Sequence, residues 1–356
     1  MGIALVLGGG APNMTMMAGA LLEFDRAGVK FDVVSTAGAG MLIGLLYAAP
    51  KDLSRQEALR RTKDLGVSDL IYKVFPVNFK VFHKPGALAE MYTRAAQLMR
   101  PPRLPESELE RFWLDWWRLM VAAACPTDLS YFSKGLCQPA PWIESVVDFE
   151  KLQKFEGDFY LSAYCIEDQE HVLFQKDEID AHTFRAALAM PFIYEPFKMN
   201  GKTYLEGAAQ DALNYKGLIE TVEAKEFDID TIVVFDVLGT RKAVREPRNL
   251  YDAWVKSIIV PLVEIARDDT RLFDLVHNRN PDGSEKRRLL RVGFDEFMPE
   301  SQWDKVYDWS YSNLSTLFDV GREAALAFLE EHHELLEGRS SGGERDAASN
   351  VTPLRP

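Results

Sequence analysis

Apolar positions near the start of the chain fall into short unbroken runs, with helical spacing between them. Residues 3–7 (Ile-Ala-Leu-Val-Leu) are one such run, the pattern of a strand buried on both faces. Gly8, Gly9 and Gly10 follow, and Met16, Met17, Leu21 and Leu22 then recur at helical spacing. A second run, residues 31–34, leads through the small residues Ser35 to Gly40 into a helical pattern from Met41. Further on, residues 159–166 and 171–174 read as paired strands about a turn at 167–170. Residues 231–237 and 289–292 read as two more strands. Helices are predicted over 205–225, 249–276 and 303–336, the last with a break near Tyr311 to Asn313. Strands alternating with helices predict an α/β fold whose central sheet is mainly parallel and covered by helices on both faces.

The first strand, its glycine loop and the following helix start bring several backbone N–H groups to one point, which suits an anion or oxyanion. The dinucleotide fingerprint Gly-x-Gly-x-x-Gly has Asn13 at its sixth position here, so nucleotide binding is a distant alternative. The second strand, turn and helix have the layout of a nucleophile elbow, which forces its apex residue into a strained backbone geometry and exposes the side chain. The apex is Gly38. Glycine adopts that geometry without steric cost, yet has no side chain to attack anything.

A third segment lies at 184–208. A helix there ends before Pro191, because the residue preceding proline is pushed out of the helical region. An extended stretch reaches a turn at Asn200 and Gly201, and a short strand presents Glu206, Gly207 and Ala208.

On these three segments the chain resembles the patatin-like phospholipase family, over roughly residues 1–337. In that family the glycine loop builds the oxyanion hole and an elbow Gly-x-Ser-x-Gly carries the nucleophile. A later Asp-Gly-Gly or Asp-Gly-Ala supplies the acid of a Ser–Asp dyad. The resemblance implies a patatin-like three-layer α/β domain over 1–337. It puts Gly38 at the nucleophile position, Thr36 at the elbow's first glycine and Glu206 at the dyad aspartate. It implies an oxyanion site at Gly8, Gly9, Gly10 and Ala39, with Asn13 and Met14 replacing the loop's basic residue and its following glycine. The scaffold matches in three places and the reactive side chains in none.

Composition narrows the partners. With 356 residues, 47% of them hydrophobic, the chain can bury a sizeable core. A net charge of −13 excludes nucleic acid as a partner class and disfavours adsorption to anionic lipid. No run approaches the length of a membrane span and no signal peptide is expected, which leaves peripheral membrane contact open. Cys125, Cys137 and Cys165 have neither disulfide-framework nor metal-ligand spacing, so a reducing, cytoplasmic compartment and no metal are expected. From residue 338 to 356 the composition turns to Gly, Ser and charge, and that tail is expected to be disordered.

Other candidates are weighed against plainer roles. Residues 107–121 begin with Ser107 and Glu110 at capping-box spacing. Leu109, Phe112, Trp113, Trp116 and Met120 share one helical face, widened by Trp117. Trp113, Trp116, Trp117 and Met120 are candidates for an acyl groove or lid, although a stripe at this spacing is more often core. Ser35 and Thr36 are candidate displaced nucleophiles, against the plainer role of bonding to nearby backbone. Asp211 is a candidate substitute carboxylate, against a capping role. His171, His182, His332 and His333 lack partners at triad or metal spacing.

Two functions follow from the resemblance combined with the substitutions. One is a protein of acyl metabolism that binds an acyl ester or thioester, or a protein partner, with its Ser–Asp hydrolase route lost. The other is a hydrolase in which Glu206 activates a water held in the space left by the missing serine, or in which a displaced nucleophile acts. Neither needs a cofactor.

Overall fold

The computed structural model describes residues 2–98, 105–127, 137–191, 193–224, 229–238, 245–305 and 307–337. The tail expected to be disordered, 338–356, lies outside the described residues. The strands are β1 (Gly2–Leu7), β2 (Val33–Thr36), β3 (Asp158–Cys165), β4 (Glu170–Gln175), β5 (Phe197–Met199), β6 (Lys202–Glu206), β7 (Ile229–Phe235) and β8 (Arg288–Arg291). The helices before β3 are α1 (Met14–Arg26), α2 (Gly40–Ala48), α3 (Arg55–Arg60), α4 (Asp69–Val74), α5 (Ala87–Leu98), α6 (Glu108–Ala124) and α7 (Phe149–Gln153). Those after it are α8 (Ala181–Ala187), α9 (Tyr215–Ala224), α10 (Leu250–Leu272), α11 (Phe294–Phe297), α12 (Tyr311–Glu331) and α13 (Glu334–Glu337).

The strands form one sheet in the order β5-β6-β3-β2-β1-β7-β8, with β4 also paired to β3. Successive side chains of a strand point to opposite faces, and β1 feeds two cores accordingly. Ile3, Leu5 and Leu7 enter the larger core with Phe24 of α1, Tyr47 of α2 and Phe328 of α12. Ala4 and Val6 enter a smaller one with Leu218 of α9 and Ala266 of α10. Helices thus cover both faces, giving the three-layer α/β arrangement.

Strands β3, β2, β1, β7 and β8 are parallel. Their carboxyl ends therefore lie along one edge, where open α/β sheets form their ligand crevice. Gly8 to Gly10, Ala37 to Ala39 and Asp236 to Leu238 all leave the sheet there.

The edges of β3 bring two of the predicted segments together. Tyr160 and Leu161 pair with both β2 and β4, so those strands lie on opposite edges of β3. Ala163 to Cys165 pair with both β4 and β6, so β6 shares the β2 edge. β2 runs parallel to β3 and β6 antiparallel, and the two meet end to end. Thr36 sits opposite Leu161, and Glu206 sits opposite Ala163. Two residues of strand separate those positions, roughly 7 Å.

Four boundaries differ from the sequence reading, the first being β2, which begins at Val33 and takes in Ser35 and Thr36 from the expected turn. The helix expected over 205–225 is the end of β6, a 3-10 turn over Gly207–Ala209, and a loop before α9 begins at Tyr215. The loop persists because Asp211 caps α9 and the Ala212 carbonyl is held by Gly9. The helix expected over 303–336 is a 3-10 turn followed by α12, capped by Ser310 whose Oγ accepts the Asn313 amide. The anticipated break is therefore that helix's start. Strand β7 ends two residues before the expected position, which leaves Asp236 outside the sheet.

Helix α6 starts as its capping pattern predicts, with Ser107 Oγ accepting the Glu110 amide at 3.2 Å. Its orientation does not follow the stripe. Arg111 and Asp115 are buried, at 6% and 1% exposure, while Trp113 and Trp117 are each 60% exposed. Of the stripe, Phe112 packs partly buried against the small core of Val67, Ile71 and Phe79, and the other side chains face solvent rather than a groove.

Candidate functional site

The elbow keeps its strained shape without its nucleophile. Gly38 has φ +49°, the left-handed region that an L side chain enters only with strain. A Cβ added there would lie 2.5 Å from Glu206 Oε1, 3.1 Å from Gly9 Cα and 3.2 Å from Ala208 Cβ. The carboxyl group of Glu206 thus stands where the side chain of an apex residue would begin. This corrects one expectation: the missing serine leaves no water-sized gap between Gly38 and Glu206, because the longer acid fills it.

Glu206 is the last residue of β6, and its amide donates to the Ala189 carbonyl at 3.1 Å. Its side chain is buried, with no cation and no hydrogen-bond donor on its carboxyl among the described residues. Burial in these surroundings disfavours the charged form and pushes its pKa up to about 8. At neutral pH the group is a carboxylic acid, a hydrogen-bond donor rather than a base.

Glu206 faces a cavity of about 90 Å³, room for several waters or a stretch of alkyl chain. Met14, Leu42, Val81, Phe184, Ile259 and Leu262 give it an apolar wall. Backbone of Gly9, Gly10, Ala11 and Ala39 closes one side. No serine, threonine, cysteine, histidine or lysine lines it among the described residues.

The amides in this corner are not equivalent. Gly8 N–H donates to Phe235 O at 3.1 Å and Gly9 N–H to Ala212 O at 3.2 Å, so neither serves an oxyanion. The amides of Gly10, Ala11 and Ala39 meet no acceptor among the described residues. The loop's capacity to hold a negatively polarised oxygen therefore rests on these three, and Gly10 presents its amide through φ +128°, open only to glycine.

Five polar side chains of the cavity were not singled out from sequence: Trp142, Tyr194, Asp236, Tyr307 and Trp309. Asp236 lies just beyond β7, accepts the Leu238 amide at 3.1 Å and pairs with Arg291 at 3.3 Å. Its place at the carboxyl end of a buried parallel strand was the available signal. Trp142 and Trp309 also line the cavity, and each buries an indole N–H that has no hydrogen-bond partner among the described residues. Nothing in their local sequence marks them, since they arrive from loops far apart in the chain.

The remaining candidates lie elsewhere. Ser35 Oγ donates to Asn214 O at 2.8 Å and Thr36 Oγ1 to Tyr160 O at 2.9 Å. Both are fully buried between strands and outside the cavity, which corrects their reading as displaced nucleophiles. The Asp211 carboxyl accepts the Tyr215 and Lys216 amides and caps α9, the plainer of its two roles. Trp113, Trp116, Trp117 and Met120 are exposed and do not touch the cavity. His182 and His332 lie beside Asp180 and Glu334 near the surface, and no group of three metal-type ligands occurs among the described residues.

No curated protein sequence is a significant match to the chain. Among solved structures, VipD from Legionella pneumophila is similar over 93% of this chain and 67% of its own, at 13% identity and a TM-score of 0.40. The family model for patatin-like phospholipase matches residues 5–219. That match runs through the glycine loop, the elbow and the end of β6 alike, and the chain belongs to the patatin-like phospholipase family.

Proposed function

We propose that this protein binds an acyl-group ligand in the cavity beside Glu206 and has lost the Ser–acid acyl-transfer route. The observation that carries this reading is the 2.5 Å between Glu206 Oε1 and the position of a Cβ on residue 38. A side chain at the apex would require the Glu206 carboxyl to leave its present place.

The cavity chemistry supports binding. Its wall is mostly apolar, as an alkyl chain requires, and its polar groups are largely donors without partners. The Trp142 and Trp309 indoles and the Gly10, Ala11 and Ala39 amides are available to an acyl oxygen. Leaving a buried donor unsatisfied costs about 1–3 kcal/mol, which a ligand oxygen removes. Neutral Glu206 adds one more donor. We take the domain to run to residue 337, because β7, β8 and α12 complete the same sheet and core beyond the matched segment. The three free cysteines support a cytoplasmic setting.

Hydrolysis by a Glu206-activated water is the weaker reading. A general base must be ionised, and burial pushes the Glu206 pKa up to about 8, which leaves the neutral acid the larger population at neutral pH. Native mass spectrometry of the purified full chain tests the proposal, paired with hydrolysis of acyl thioesters by wild type and Glu206→Gln. A copurified acyl ligand with the same background hydrolysis in both proteins is expected. Turnover by wild type that Glu206→Gln abolishes would establish the water mechanism instead.

A further inference from the structure

Helix α6 is folded with its charged residues inward. Arg111 Nη1 pairs with Asp64 at 2.8 Å and its guanidinium lies 3.4 Å from the centre of the Tyr311 ring. Asp115 pairs with Lys80 at 2.8 Å and accepts the Ser68 amide at 2.8 Å. These inward bonds fix the helix's rotation and turn Leu109, Trp113, Trp116, Trp117 and Met120 to solvent. α4 packs beside α6 and adds Leu70 and Val74, at 68% and 84% exposure. Apolar side chains gathered on one exposed face in this way mark an interaction surface rather than ordinary scatter.

Helix α4 also touches the cavity wall. Tyr72, on α4, donates from its hydroxyl to the Tyr307 carbonyl at 3.2 Å, and Tyr307 lines the cavity. The Tyr307 ring packs edge-on against Trp254, which is 37% exposed beside the almost bare Leu250. Helices α4 and α10, each with exposed apolar side chains, therefore both touch Tyr307 of the cavity wall, and α6 packs beside α4.

We infer that this face, centred on Trp113 and Trp117, is a docking surface for a zwitterionic lipid bilayer. The choice of occupant rests on the acyl-ligand reading, because a cavity for an alkyl chain next to an apolar surface suits a partner that is itself the source of such chains. Three indoles on one side of a helix match the preference of tryptophan for the boundary between headgroups and acyl chains. The charge pattern selects the headgroup. Glu106, Glu108 and Glu110 are exposed at the start of α6 and the whole chain carries −13, so anionic lipid adds no attraction.

The test is flotation of the full chain with phosphatidylcholine vesicles, comparing wild type with the double variant Trp113→Ser/Trp117→Ser. Both side chains are mostly in water, so the variant keeps the wild-type thermal melt. Wild type floats with the vesicles, and the variant's partition coefficient falls by roughly tenfold or more, from the apolar area two indoles withdraw from water. Adding phosphatidylserine leaves wild-type binding no stronger. Equal flotation of the two proteins, or none by wild type, overturns the proposal. So does sedimentation showing a wild-type dimer that the variant splits, since the face then joins two copies. Native mass spectrometry on the same samples separates the two readings: vesicle binding without any acyl ligand removes the acyl reading and leaves the docking surface standing.

Discussion

Glu206 and Gly38 are complementary in shape: the acid's Oε1 lies 2.5 Å from where any side chain on residue 38 would begin. Taken separately, each residue reads as the loss of a catalytic group. Together they pack. Glycine makes the room and the longer acid takes it, so reversing one substitution alone introduces a conflict.

Gly38→Ser should therefore destabilise the protein by roughly 1–3 kcal/mol, from the left-handed backbone and from displacement of Glu206, with Gly9 and Ala208 limiting any escape. Gly38→Ser with Glu206→Asp should recover part of that loss, because the acid withdraws by a methylene. Denaturant melts of the wild type, both single variants and the double variant read the coupling directly. Additive effects would mean that the two side chains do not meet.

A fluorophosphonate probe should label no residue of the folded wild type. The hydroxyls of Ser35 and Thr36 are fully buried and already donate to Asn214 and Tyr160 carbonyls. Specific, heat-sensitive labelling mapped to either residue by peptide mass spectrometry would contradict that placement.

The pH dependence of stability should carry the signature of Glu206. Its folded pKa, about 8, is raised above its unfolded value of 4.5. The protonated form is favoured by folding, so its contribution is fully present below pH 4.5 and is lost as pH rises through 8. Wild-type stability should fall across that window by an amount on the order of a few kcal/mol. Glu206→Gln, which cannot ionise, should flatten the fall. Asp269, held up to about 7 by burial and by neighbouring Asp211, leaves a smaller slope in the variant. Thermal melts from pH 4 to 9 check it, and parallel curves for the two proteins would show that Glu206 titrates normally.

Trp142→Phe removes one unpartnered indole donor and keeps an aromatic ring in the cavity wall. Affinity for a fatty acid measured by titration calorimetry should drop by roughly five- to tenfold, the worth of one hydrogen bond to a ligand oxygen. Unchanged affinity would place the acyl oxygen away from this wall.

Much of the architecture was legible in the sequence because it depends on short-range geometry. A short unbroken apolar run such as residues 3–7, ended by three glycines, suits a strand covered on both faces, and the structure covers both faces of β1. The turn at Gly38 was legible for the same reason: a strand, small residues and a helix start leave little choice of path, and glycine marks the apex. Tertiary structure decided everything that depends on which edge meets which. Glu206 reaches Gly38 only because β6 takes the part of the β3 edge that β2 leaves free, and no local pattern encodes which strands share an edge. The Gly8 and Gly9 amides are taken by the carbonyls of Phe235, at the end of β7, and Ala212, in the loop before α9, which no local pattern at the glycine loop could show. On α6, the periodicity defined an apolar face but could not say which way it turns. Buried ion pairs to Asp64 and Lys80 turned it outward, because an unpaired charge in the interior costs more than a tryptophan left in water.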